Sequence, residues 1–198
     1  MKAKFAGVTV VLAVISALVF VAGKPAHSAP AIEKPVNLLV NGSFEEGPDI
    51  TATFVSLNEG SKAIKGWVVT RGQIDYVGAH WPAADGKRSL DLHGSPGLGG
   101  VKQTFPTRKG QRYRVTFAFA GNPEGAVAEK KMGVSAAGQK EEFTFDCTGK
   151  KLDDLGWETK KWEFKADGKE TTLEFYTLMT DDVNCGPALD NVSVMEID

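Results

Sequence analysis

The chain has 198 residues, of which 42% are apolar, 24% charged and 9% aromatic, with 22 Gly and 9 Pro. That composition excludes disorder, collagen and coiled coil for the chain as a whole, and the length fits one domain. A formal net charge of −2 offers no basic field for nucleic acid, 2 Cys exclude a disulfide miniprotein and an all-Cys zinc site, and 3 His argue against a multi-histidine metal centre.

Residues 1–28 read as a secretory signal. Lys2 and Lys4 precede an uncharged run from Phe5 to Gly23, and small residues follow, with Ala26-His27-Ser28 fitting the cleavage rule. The run of 19 residues is also long enough to span a bilayer, so an uncleaved N-terminal anchor is the alternative. Membrane association is expected only through this segment. Removing 1–28 leaves 20 basic and 25 acidic residues, a net charge of −5. Such a surface does not favour anionic partners. Residues 29–36 form a Pro- and Ala-rich linker, and residues 37–198 form the domain.

Short alternating runs follow from Asn37. Strands are expected at 37–40, 64–70, 73–77, 88–93, 99–105, 131–136, 141–146 and 187–196. The clearest is Arg112 to Ala120, with Tyr113, Val115, Phe117 and Phe119 on one face and Arg112, Arg114 and Thr116 on the other. Trp162 with Phe164, and Leu173 with Phe175, repeat that period of two. Gly, Asn, Asp and Pro separate the runs, as at Asp85-Gly86 and Asn122-Pro123. About ten short strands imply an all-β domain of two packed antiparallel sheets, a jelly-roll β-sandwich.

Cys147 and Cys185 are expected to pair in an exported protein. The loop that they close would stabilise the fold by roughly 3–4 kcal/mol in the chain-entropy model. No catalytic motif is visible: Gly-x-Ser-x-Gly and His-Glu-x-x-His are both absent. Glu45 and Glu46 follow the first predicted strand, and Asp190 lies in the last. Asp190 shares parity with Val192 and Val194, so in an unbulged strand its carboxylate faces the core. An inward carboxylate needs a cation or several donors. Ca²⁺ and backbone N–H groups are equal alternatives on residues alone. Trp67 and Trp162 read as core. Trp81 lies in the loop Ala79 to Gly86 and Trp157 at a strand start, each either a sugar-stacking platform or a loop anchor.

These residues carry a resemblance. Asn37-Leu-Leu-Val-Asn-Gly-Ser-Phe-Glu-Glu-Gly47, Trp81-Pro-Ala-Ala-Asp-Gly86, Ser89-Leu-Asp-Leu92, Phe119-Ala-Gly-Asn-Pro123 and Cys185-Gly-Pro-Ala-Leu-Asp-Asn-Val-Ser-Val194 occur in order. The ordered set resembles the DUF642 family, called choice-of-anchor C proteins in bacteria. The resemblance implies a galactose-binding-domain-like β-sandwich, as in many carbohydrate-binding modules. It also implies a structural Ca²⁺ held by Glu45 and Asp190. Plant members of the family associate with polysaccharides and pectin-modifying enzymes.

The expected function is an exported, non-catalytic protein of the cell envelope or extracellular matrix that binds polysaccharide. Trp81, His80 and Asn122 are the first candidate contacts, with Trp157 behind. Trp81→Ala is then expected to weaken glycan binding with the melting temperature nearly unchanged. The alternatives are a structural or adhesive protein whose partner is an envelope or cell-wall protein, and a glycoside hydrolase. The first would show an apolar patch or an open sheet edge, the second two carboxylates in one cleft.

Overall fold

The computed structural model describes residues 36–94, 97–180 and 184–198. The signal segment and nearly all of the linker lie outside the described residues. Eleven strands and no helix are found among the described residues: β1 (Phe54–Asn58), β2 (Val68–Arg71), β3 (Gln73–Val77), β4 (Ser89–Asp91), β5 (Gly100–Pro106), β6 (Arg112–Gly121), β7 (Glu129–Ala136), β8 (Gln139–Asp146), β9 (Glu158–Lys165), β10 (Glu170–Thr177) and β11 (Pro187–Ile197). They form two antiparallel sheets, six-stranded β1-β3-β4-β11-β6-β9 and five-stranded β2-β5-β10-β7-β8. The expected two-sheet, all-β sandwich is what the chain adopts.

Alternation explains the core. Along β6, Tyr113, Val115, Phe117 and Phe119 are buried, and Arg112 and Arg114 are exposed. Val115 lies beside Trp162 of β9 and Val194 of β11, so each strand adds an apolar residue to one shared row. Across the sandwich Phe117 meets Phe175 of β10 edge-on, with ring centroids 5.0 Å apart. Each such side chain contributes about 1.5–3 kcal/mol by leaving water, and the edge-on geometry adds the quadrupole attraction.

Three local readings need correction. Residues 37–40 are not a strand. Leu38 donates one backbone bond to the Val194 carbonyl, and the Asn37 carboxamide oxygen accepts from the Leu39 and Val194 N–H groups, so a side chain replaces the ladder. Residues 64–67 form a turn closed by the Trp67 N–H on the Ile64 carbonyl, and the strand begins only at Val68. The third concerns the last strand. Its register against β6 shifts between Asp190 and Ser193, and Asn191 has φ of 48°. This bulge reverses the alternation. Leu189, opposite Phe119, faces the core, so Asp190, opposite Ala118, lies on the outer face of the six-stranded sheet. Asp190 does not share a face with Val194 as its parity suggested. It is nevertheless fully buried, because a loop covers it.

That outer face is where the remaining polar residues gather. Ile74, Tyr76 and Leu90 point inward, so Asp75 of β3 and its direct cross-strand partner Asp91 of β4 point outward, with Ser56 of β1 beside Asp75.

Candidate functional site

The loop between β3 and β4, residues 78–88, folds over this outer face and is held at four points. Trp81 is 3% exposed, and its indole N–H donates to the Ser89 hydroxyl at 2.8 Å. The Asp190 carboxylate accepts from the Asp85 N–H at 2.9 Å and from its neighbour Asn191 N–H at 2.6 Å. One Glu45 oxygen accepts from both the Lys87 and Arg88 N–H groups at 2.8 Å. The Trp157 indole N–H donates to the Pro82 carbonyl at 3.0 Å. Gly86 at the apex has φ of +68°, and an added Cβ would lie 2.5 Å from the Glu45 carboxyl group. Glycine is required there both for the conformation and for the close approach.

Glu45 is itself fixed by the turn before it. Asn41 and Phe44 both have positive φ, 54° and 60°. The strain at Phe44, a bulky residue in the left-handed region, is held by complete burial of its ring and by the Tyr76 hydroxyl, which donates to the Phe44 carbonyl at 2.6 Å. The Asn41 carboxamide donates to the Glu46 and Lys65 carbonyls and accepts from the Glu46 N–H, closing the turn. Gly42 has no room for a side chain, since a Cβ would sit 1.9 Å from the Val192 carbonyl oxygen.

Glu45 and Asp190 thus reach the same loop through its backbone N–H groups. The donor set suits a hard cation in part. The two carboxylates flank one turn, and burial pushes the Asp190 carboxyl up to about 7 despite the N–H donors of Asp85, Asn191 and Ala84. Among the described residues no three His, Cys, Asp or Glu side chains converge. A Ca²⁺ ion here would need carbonyl oxygens for the rest of its shell.

Beside the anchored loop is a cleft of about 330 Å³. Phe54 and Ser56 of β1, Asp75 and Val77 of β3, and Asp91 of β4 form its floor. His80 and Trp81 form one wall, and Asn122, Glu124, Asn184 and Cys185 supply the rest. Phe54 is 39% exposed and meets the His80 ring edge-on at 5.6 Å. His80 Nε2 lies 2.9 Å from a Glu124 carboxylate oxygen. A wider hollow of about 670 Å³ shares His80 and Trp81 and carries Lys87, Arg88 and Asp153.

The two carboxyl groups on the floor differ. Asp91 is saturated: Oδ1 accepts from the His93 and Gly186 N–H groups, and Oδ2 from the Asn122 carboxamide at 3.0 Å. Burial pushes its carboxyl up to about 7, with Asp75 adding to the rise and these hydrogen bonds opposing it. Asp75 is 8% exposed, and the Ser56 hydroxyl donates to its Oδ1 at 2.6 Å. Burial raises this carboxyl too, against Ser56 and His80. Among the described residues Asp75 Oδ2 has no hydrogen-bond partner.

The structure brings three of the four sugar-contact candidates to the cleft. His80 presents its ring at the wall. Asn122 is buried, with its amide on Asp91 and its carbonyl oxygen on the Glu124 N–H. Trp81 forms the wall as a packed residue rather than an open platform. Trp157 is half-buried, anchors the loop and does not line the cleft. Sequence reasoning missed Phe54, Asp75 and Asp91. The signal for Asp75 and Asp91 was present as the single acid in each of two short runs, Gln73–Val77 and Ser89–Asp91.

Cys147 is buried and Cys185 half-buried, and no S–S bond joins them among the described residues. They nevertheless approach one corner. Cys147 Sγ packs on Gly121, where an added Cβ would meet it at 2.6 Å, and β11 begins with Pro187 paired to that same Gly121. The Lys130 ammonium donates to the Cys185 carbonyl at 2.7 Å.

The fold is similar to two solved structures of low sequence identity. One is TmCBM61 in complex with beta-1,4-galactotriose, 15% identical with a TM-score of 0.51, covering 82% of this chain and 99% of that one. The other is the arabinose-bound α-L-arabinofuranosidase MgGH51, 13% identical with a TM-score of 0.52, covering 81% of this chain and 26% of that one. Among curated proteins, halomucin of Haloquadratum walsbyi is 32% identical over 190 residues, 92% of this chain and 2% of halomucin. The protein DUF642 L-galactono-1,4-lactone-responsive gene 1 of Arabidopsis thaliana is 23% identical over 193 residues, 92% of this chain and 48% of that protein. The chain therefore spans less than half the length of either relative. A family model described as DUF642, protein of unknown function, matches residues 37–195, and the chain belongs to that family.

Proposed function

We propose that the protein is an exported, non-catalytic carbohydrate-binding module of the cell envelope or extracellular matrix, and that its ligand sits in the Phe54–Asp75 cleft. One observation carries the reading: an exposed aromatic ring and a buried carboxylate with an open oxygen line the same cleft. A sugar ring offers an apolar face to Phe54 and hydroxyl donors to Asp75 Oδ2, while His80 and Glu124 border the same space. The saturation of Asp91 supports binding over hydrolysis, since a paired acid for bond cleavage would need free lone pairs or a free proton. The fold shared with a structure holding beta-1,4-galactotriose supports the ligand class.

The test is retention on a panel of immobilised polysaccharides. Phe54→Ala should weaken retention at least tenfold, about 1.4 kcal/mol, and an exposed edge-strand residue should leave stability within about 0.5 kcal/mol of the parent. Equal retention by parent and variant would move the site elsewhere. Release of shortened sugars from the bound chain would reinstate the hydrolase.

Two structural proposals accompany this reading. Ca²⁺ bound by Glu45 and Asp190 would tie the 84–88 loop to the first turn and the last strand. A Cys147–Cys185 bond would staple the Gly121 corner. One thermal-unfolding series tests both: chelator should lower the midpoint by several degrees, reversibly with added Ca²⁺, and reductant should lower it independently. A midpoint indifferent to chelator removes the cation, and two free thiols by alkylation mass spectrometry remove the disulfide.

A further inference from the structure

We infer that the cleft rejects acidic sugars: it accepts uncharged rings and discriminates against those carrying a uronate carboxylate. The inference rests on the carbohydrate reading above and adds the chemical class of the ligand. Its ground is the distribution of charge around Asp75.

Asp75 is more than nine-tenths buried, lines the cleft, and has only Ser56 on its first oxygen. A ligand must therefore supply donors to the second oxygen, and hydroxyl groups do so. A carboxylate cannot, because when ionised it only accepts. Asp91 lies directly across the strand pair and adds negative charge behind Asp75. Glu124 stands at the rim. Against these three acids the only basic side chain lining the cleft among the described residues is His80, already against Glu124 at 2.9 Å. The Lys130 ammonium is near, on the Cys185 carbonyl, but its side chain is completely buried and does not face a ligand. A uronate placed over Phe54 would meet this field, and the buried Asp75 and Asp91 are screened less than surface charges. The neighbouring hollow differs, with Lys87 and Arg88 in its lining, so acid-binding there must be separated from binding in the cleft.

The experiment compares matched pairs: galactotriose, cellotriose and mannotriose, each beside the trimer oxidised at C6 to the uronate. Binding is measured by calorimetry at pH 8 on the full protein, on Phe54→Ala and on Asp75→Asn. Binding lost in Phe54→Ala is assigned to the cleft. The expected result is at least one neutral trimer bound in the cleft at least tenfold tighter than its oxidised form. In Asp75→Asn that ratio should shrink to about threefold or less, with the fold retained by circular dichroism. Cleft binding of an oxidised trimer as tight as its neutral form, or a ratio unchanged by Asp75→Asn, overturns the charge selection and leaves the carbohydrate reading standing. Absence of any Phe54-dependent binding, in the trimers and in the polysaccharide panel alike, overturns both.

Discussion

Trp81→Ala will lower the free energy of unfolding by about 3–5 kcal/mol, the range for removing a buried Trp from a packed core. In a chain of this size that moves the melting temperature down by on the order of 10 °C. The loop sequence alone left a stacking platform and a loop anchor as alternatives, and the carbohydrate-binding expectation had its loss sparing stability. The structure shows a ring 3% exposed, packed against the cluster that contains Leu90 and Leu92, with its N–H satisfied by Ser89. Removal leaves a cavity under the loop and a hydroxyl without its donor. Because the same ring forms the cleft wall, ligand affinity should fall as well, but as a consequence of a loosened wall. Urea unfolding of Trp81→Ala and Trp157→Ala separates the roles. Trp157 is only half-buried, so its loss should cost clearly less. A Trp81→Ala midpoint within about 1 °C of the parent would return the residue to the ligand.

Stability will decline as pH rises from about 4 to 7. The unfolded reference for an Asp is about 3.9, whereas burial holds the folded Asp91 carboxyl near 7. Between those values the folded state binds a proton that the unfolded state does not, so the slope of unfolding free energy with pH is negative. Three units correspond to on the order of 4 kcal/mol as an upper bound. Asp75 is displaced in the same direction and reinforces the trend. The measurement is the urea midpoint at pH 5 and at pH 8 for the parent and for Asp91→Asn. The parent should be less stable at pH 8, and the variant should show a smaller difference, with the part that Asp190, also near 7, and Asp75 contribute remaining. The same difference in both proteins would remove Asp91 from the account.

The sandwich was legible where one face of a strand is wholly apolar. Arg112 to Ala120 was placed to within a residue of β6, because its alternation follows from a single buried face, and 187–196 to within a residue of β11 although a bulge reverses its alternation. β1 was not seen. It is an edge strand with Phe54 and Ser56 turned to solvent and only Val55 and Leu57 half-buried, so its contrast between faces is weak. The 37–40 run misled because its apolar residues pack without joining a ladder. The site was harder for a physical reason. Parity puts Asp190 on the wrong face until the bulge at Asn191 is known, and a bulge is a two-strand property. Whether Trp81 lines or supports the cleft depends on what lies above it, which no window of sequence contains. Asp75 and Asp91 become neighbours only through the pairing of β3 with β4.

The position of β11 has a consequence for how the chain reaches this fold. β11, which follows the other ten described strands in the chain, lies at the middle of its sheet, between β4 and β6. Until residues 187–197 arrive, the strands on either side have nothing to pair with along those edges, and the sheet is two ribbons with a gap. Contacts of such long sequence separation slow the search for the native arrangement, and unfilled strand edges are the sticky surface of a partly made β protein. Acquisition of structure in this domain should therefore be late and abrupt, set by the closing of the gap by residues 187–197, with truncation before Pro187 yielding an aggregating species rather than a smaller domain.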